Sequence, residues 1–258
     1  MDNMVLLKPH LVRLKLSGML ESIEMRIREA MEEKWEYSHF FLRLCTDEVE
    51  RRDNKQMCRR FAKSDLEPDK TLETFDFLFN PQIHKATIRE LATCGFIEKK
   101  ECVFFLGPSG VGKSHLAQGL GHEACRRGFD TLYRDTFDLL KWIGAGRGDG
   151  THDRRLSLII RVPLLILDDF GLRPLSENQQ MDMFELIRCR YEKSSTVITS
   201  NRDFGEWPSV FSNPLVASAA MDRLVHRAIK IVIEGKSYRL NSFIGKAKSL
   251  TQTAKSDT

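Results

Sequence analysis

The run Gly107-Pro108-Ser109-Gly110-Val111-Gly112-Lys113-Ser114 has a glycine, lysine or hydroxyl at every fixed position of the pattern GxxxxGK[ST]. In such a loop the glycines let backbone N–H groups curl around phosphates with no Cβ in the way, and the helix that follows adds its positive dipole end. Lys113 would reach the β and γ phosphates and Ser114 would ligate magnesium. The chemistry implied is the binding of ATP with Mg2+ along residues 107–115, His115 included.

Leu164-Leu165-Ile166-Leu167-Asp168-Asp169 is an apolar run ending in two carboxylates. If its strand neighbours the phosphate loop, Asp168 would hold the magnesium and Asp169 would polarise an attacking water. The other reading is an acidic strand end facing solvent. A second acid favours hydrolysis by water over phosphoryl transfer to a small molecule. Asn201 follows the β-branched run 195–199 and could bond the γ-phosphate or that water; as a residue type it also suits a plain turn. Arg223 could reach the nucleotide of an adjacent subunit, or form a surface salt bridge.

Arg51, Arg52, Lys55, Arg59, Arg60 and Lys63 crowd one helical stretch, four of them spaced to share a face. They could track a DNA backbone, or form a solvated helix face. The four alternate glycines of Gly144-Ala145-Gly146-Arg147-Gly148-Asp149-Gly150 lack the spacing of a dinucleotide fingerprint. A mobile surface loop is expected there, with Arg147, Arg154 and Arg155 available to DNA or a neighbouring subunit.

These residues need elements to position them. Up to about Lys70 the pattern is helical: Leu11, Leu14, Leu16 and Leu20 suggest one helix, continued by Ile23 and Ile27, and Phe40 to Val49 another that runs into Arg51 and Arg52. Glu67-Pro68-Asp69-Lys70 punctuates the end of this region. Beyond Thr71, short apolar runs at Cys102–Leu106, Thr131–Tyr133, Leu164–Leu167 and Ser195–Thr199 alternate with helical patterns at 87–93, 114–127, 137–143 and 181–193. That alternation means a parallel sheet covered by helices on both faces. The organisation expected is a helical domain at 1–70, an ATPase domain at 71–245 and a disordered polar tail at 246–258.

In bulk the chain has 258 residues, 41% of them hydrophobic and 29% charged, enough for a sizeable core. No run of about eighteen apolar residues is present, so no membrane span is expected. The start lacks a secretion signal, and the cytoplasm is the expected location. The six cysteines lack metal-ligand spacing and read as reduced, and the seven histidines are scattered. A net charge of +4 permits nucleic-acid binding without arguing for it.

Together, several segments resemble the IstB-like ATPases, the ATP-binding helpers encoded beside the transposase in insertion sequences and related to the DnaC helicase loaders. They are Phe75 to Pro81, Ile88 to Cys94, the phosphate loop with His115 to Cys125, Ile166 to Leu172, Thr199 to Asn201, Phe204-Gly205-Glu206-Trp207, Asp222 to Leu224 and Gly235 to Arg239. The resemblance covers about Leu14 to Leu240. It implies an AAA+ P-loop core behind a small all-helical N-terminal domain. It also implies ATP-dependent assembly into a ring or spiral on double-stranded DNA, and stimulation of the partner transposase. On matching positions Asn201 resembles the first sensor and Arg223 an arginine finger acting in trans, while Phe79, Asn80 and Ile83 resemble the linker bordering the adenine. Asp169 departs from the glutamate of the wider AAA+ pattern; it is one methylene shorter, which implies slow turnover. The short chain beyond Arg239 implies a reduced helical lid. A helicase loader and a small-molecule kinase are the competing readings, the kinase disfavoured by Asp169, Asn201 and Arg223 together.

Overall fold

The structure, a computed structural model, describes residues 3–238 and 241, so the expected tail at 246–258 and the Arg239 of the last segment lie outside the described residues. The chain divides into two compact units, Met1–Arg59 and Arg60–Thr258. Residues 60–70, grouped by the sequence pattern with the helical region, fall in the second.

The first unit holds α1 (Asn3–Arg13), α2 (Ser17–Glu32) and most of α3 (Tyr37–Ser64). The single helix expected through Leu11 and Ile27 is two. Lys15 takes a left-handed φ of 58° and Leu16 N–H bonds back to the Leu11 carbonyl, which ends α1. The turn lets Leu11, Met19 and Ile23 meet Leu44 in one small core. Gly18 is required at the crossing, because a Cβ there would lie 2.6 Å from the Glu48 Cα. The buried Glu48 carboxylate accepts the N–H groups of Gly18 and Met19, capping α2 where the helix dipole favours an anion. Burial pushes its pKa up, but Arg52 and those two N–H donors hold it below the usual range.

The second unit continues with α4 (Lys85–Leu91), α5 (Gly95–Glu98), β1 (Cys102–Leu106), α6 (Lys113–Arg126), β2 (Thr131–Asp135), α7 (Thr136–Asp149), α8 (His152–Ile160), β3 (Leu164–Asp168), α9 (Glu177–Arg190), β4 (Ser195–Ser200), a 3-10 helix (Phe204–Val210), α10 (Pro214–Val225) and β5 (Ala228–Val232). The strands form one parallel sheet in the order β2-β3-β4-β1-β5. Because side chains alternate along a strand, a strand covered on both sides must be apolar throughout. Val103, Phe105, Leu164 and Ile166 accordingly pack with Leu116 and Leu120 of α6, and with α4 and α5. Phe104, Leu106, Leu165 and Leu167 point the other way, to Leu140 of α7, Leu186 of α9 and Trp207. Burying one such large side chain stabilises by about 1.5–3 kcal/mol.

The segment expected to be a mobile glycine loop is helical. α7 runs to Asp149, and Gly150 caps it with a left-handed φ of 72°. Gly146 lets the start of α8 close on the helix, since a Cβ would stand 2.7 Å from His152 N. Its arginines are correspondingly engaged: Arg147 grips the buried Asp182 carboxylate of α9 with both Nη atoms, at 2.5 and 2.8 Å. Arg155 bonds the Trp142 carbonyl and Asp149, whereas Arg154 is exposed.

Candidate nucleotide site

A parallel sheet opens a crevice at the carboxyl ends of its strands. Here that crevice is a cavity of about 430 Å³ lined by the phosphate loop, Tyr133, Asp168, Asp169, Asn201 and the segment 67–80. Gly107, Gly110 and Gly112 hold φ values of 147°, 81° and 103°, all in the region that favours glycine. Backbone and aromatic neighbours occupy the space beside them. A Cβ on Gly107 would meet the Ile233 carbonyl oxygen at 2.0 Å, and one on Gly112 the Phe75 ring at 2.7 Å. Left-handed Gly112 caps α6 with no side-chain acceptor, so the first-turn N–H groups face a cavity lined by residues 109–115. That is a fitting cradle for a phosphate.

Lys113, 4% exposed, donates to the Pro108 carbonyl at 2.8 Å and to Asn201 Oδ1 at 2.5 Å. The loop lysine and the end of β4 are therefore in contact. β3 is not the direct neighbour of β1; β4 lies between them. The two acids reach the cavity all the same, because the strands are in step: Leu106 pairs with Ser200, and Leu167 with Ile198. Asp168 is buried, and both of its oxygens accept hydroxyl donors: Tyr133 at 2.6 Å on Oδ2, and Thr199 on Oδ1. Asp169 turns sharply at φ 53° and gives its N–H to the Thr199 hydroxyl at 3.0 Å. Ser114, Asp168 and Asp169 in the cavity lining offer the hydroxyl and carboxylate oxygens that suit a magnesium ion.

Elsewhere in the lining, Phe79 meets Tyr238 edge-on with ring centroids 4.9 Å apart, and Asn80 Nδ2 donates to the Glu234 carbonyl at 2.8 Å. Both Phe79 and Asn80 line the cavity, whereas Ile83 is buried in the core beneath α6. His115 also lines it, but its Nε2 lies 2.8 Å from the Thr71 carbonyl oxygen and its ring packs on Phe75. Burial pushes its pKa below the ordinary value, so at neutral pH it is an uncharged tie between α6 and the 71–75 segment.

Arg223 is not part of this cavity. It sits on α10, its guanidinium bonded to the Ala219 carbonyl at 2.6 Å and stacked towards Phe184. Among the six basic residues of the 51–63 stretch, Arg51 pairs with Glu21 at 2.7 Å, Arg52 with Glu48 at 2.6 Å, and Arg60 with Asp130 at 3.6 Å. Lys55, Arg59 and Lys63 are exposed.

The sequence profile described as IstB-like ATP binding protein matches residues 9–245. The chain belongs to that family. The ATP-binding protein of insertion sequence IS5376 from Geobacillus stearothermophilus is 35% identical over 228 residues, covering 88% of this chain and 91% of that one. Among solved structures, a DNA replication initiation factor superposes with a TM-score of 0.58 at 25% identity, over 73% of this chain and 57% of the other. The DnaC helicase loader gives a TM-score of 0.57 at 24% identity, over 64% and 97%. The fold is thus the α/β AAA+ P-loop core with helices preceding it, and ATP binding is the family's property. No helix among the described residues is long and apolar enough to cross a membrane.

Reasoning from sequence passed over the groups that hold the family's acidic strand end in place. Tyr133 and Thr199 hold the Asp168 carboxylate, and the Thr136 hydroxyl donates to its carbonyl at 2.7 Å. Trp207, fully buried, donates to Ser200 Oγ at 3.2 Å, and Ser200 Oγ donates to the Phe170 carbonyl at 2.7 Å. The tryptophan of the Phe204–Trp207 segment therefore ties the end of β4 to the end of β3. The hydroxyls gave no signal because their partners depend on strand order, which the sequence does not state.

Proposed function

We propose that the protein is an ATP-hydrolysing helper of transposition that assembles on double-stranded DNA and stimulates its partner transposase. The observation that carries this reading is the 35% identity to an insertion-sequence ATP-binding protein over nearly both full lengths, in a chain whose Lys113, Asp168, Asp169 and Asn201 converge on one cavity. Bound ATP supplies the phosphoanhydride to be cleaved, and Mg2+ would neutralise charge on its phosphates. In this reading the N–H groups of 110–114 and the Lys113 ammonium bind the phosphates, after Lys113 leaves Asn201 Oδ1 or shares it. Ser114 and Asp168 would hold the metal, Asp169 would take a proton from the attacking water, and Asn201 would orient that water. Phe79 and Asn80 border the adenine.

Arg223, on a helix outside the chain's own cavity, acts on the nucleotide of a second copy within a ring or spiral. The helical region at 1–70 contacts DNA or partner, with Lys55, Arg59 and Lys63 exposed for phosphates, and 71–245 is the ATPase domain. Arg51, Arg52 and Arg60 are engaged by carboxylates and serve this role less directly. The helicase-loader reading is not favoured, since its support is a likeness of fold.

The test is the ATPase rate with and without double-stranded DNA, alongside DNA binding in a non-hydrolysable ATP analogue. The helper reading expects DNA binding that requires nucleotide, and hydrolysis stimulated by DNA or transposase. Hydrolysis indifferent to DNA, with no DNA affinity in either nucleotide state, would overturn it. In the same assay Asp169→Asn should bind ATP without hydrolysing it, and Arg223→Ala should lose hydrolysis only in the assembled state.

A further inference from the structure

We propose that Tyr133 is a positioning residue that fixes the Asp168 carboxylate for the nucleotide-bound metal ion. The inference rests on the reading above that Asp168 holds that ion. Tyr133 lies on β2, an edge strand three places from the strand carrying the phosphate loop, and no motif includes it. Its ring lines the nucleotide cavity and its hydroxyl donates to Asp168 Oδ2 at 2.6 Å. An ionised carboxylate can only accept, so the phenol hydroxyl is the donor in this pair.

The opposite oxygen, Oδ1, accepts the Thr199 hydroxyl, which in turn accepts the Asp169 N–H. The chain Tyr133–Asp168–Thr199–Asp169 thus laces together the ends of β2, β3 and β4. A carboxylate's terminal torsion is otherwise broad and roughly two-fold, so one donor alone leaves the group free to swing. Two donors from opposite sides set its plane. Each oxygen retains a further lone pair, because an ionised carboxylate has about four acceptor sites. Groups that orient a metal ligand in this way typically contribute 10–100-fold to metal affinity.

The experiment titrates Mg2+ into the full-length protein with a fluorescent ATP analogue and reads nucleotide affinity, with EDTA as the metal-free reference. Tyr133→Phe keeps the ring and removes the hydroxyl. It should raise the Mg2+ concentration for half-maximal enhancement by about tenfold and leave affinity in EDTA unchanged. Thr199→Val should do the same, whereas Thr199→Ser, which keeps the donor, should match wild type. In an Asp168→Asn background, Tyr133→Phe should add no further shift. If Asp168→Asn shifts the Mg2+ dependence but Tyr133→Phe and Thr199→Val do not, the positioning role is wrong and the metal assignment survives. If Asp168→Asn itself leaves the Mg2+ dependence unchanged, the reading of Asp168 fails first. Equal loss of affinity in EDTA and in Mg2+ would mark Tyr133 as a packing residue only.

Discussion

Two glycine-rich stretches of similar length lie about thirty residues apart in the chain, and they do opposite things. In 107–114 every glycine has a positive φ, and Ile233, Ser237 and Phe75 lie where side chains would be. In 144–150 the glycines are part of helix α7 until Gly150, and only Gly146 meets a close neighbour. The first stretch uses glycine for backbone conformation, so that N–H groups can surround an anion. The second uses it for approach, so that two helices can meet at one point. Composition is the same signal in both cases, and only the strand before and the helix after tell them apart.

Alanine substitutions break this comparison at its two ends. Gly107→Ala has the largest expected effect, because a methyl would collide with the Ile233 carbonyl at 2.0 Å and the backbone cannot keep φ at 147°. Strain and overpacking together cost about 3 kcal/mol or more, and nucleotide affinity should fall by at least about tenfold. Thermal melting with and without ATP reads both. A variant with wild-type affinity would mean that the Ile233 strap gives way easily. Gly146→Ala should destabilise by about 1–2 kcal/mol, since the His152 backbone is 2.7 Å away, and leave ATP binding unchanged. Gly148→Ala, with nothing within 4 Å, should stabilise by about 0.5 kcal/mol through helix propensity. If Gly146 and Gly148 responded alike, the helical packing of this stretch would be in doubt.

The sequence made legible what rests on local pattern. β1 occupies Cys102–Leu106, the run read as a buried strand, and Lys113, Asp168 and Asn201 meet in one cavity because parallel strands present their carboxyl ends together. What rests on tertiary contact was not legible. The break at Lys15 between α1 and α2 serves the meeting of Gly18 with Glu48, thirty residues away. Asp182 looks like an ordinary polar position on a helix, yet it is buried and collects Arg147 and His152. Tyr133 faces Asp168 only because β2 pairs with β3, a pairing that the two crossover helices α7 and α8 conceal.

That buried carboxylate gives the smallest and most discriminating test. His152 Nε2 lies 2.8 Å from Asp182 Oδ1, and Asp153 and then Asp182 raise the imidazole pKa above its ordinary value. Asp153 is fully exposed and screened by water, so Asp182 carries more of the effect. A raised histidine pKa means that the folded state binds the proton more tightly than the unfolded one. The stabilisation is therefore complete below the unfolded pKa near 6.5 and is lost as pH rises through the higher folded value. Stability of the wild type relative to His152→Gln should fall by about 0.5 kcal/mol between pH 6 and pH 8, read from denaturant midpoints. Neither His152 nor Asp182 lines the nucleotide cavity, so ATP affinity should not follow the same curve. A pH-independent difference between the two proteins would show that Arg147 alone satisfies Asp182, and that the corner closed by Gly146 is held by packing and one ion pair rather than by two cations on one carboxylate.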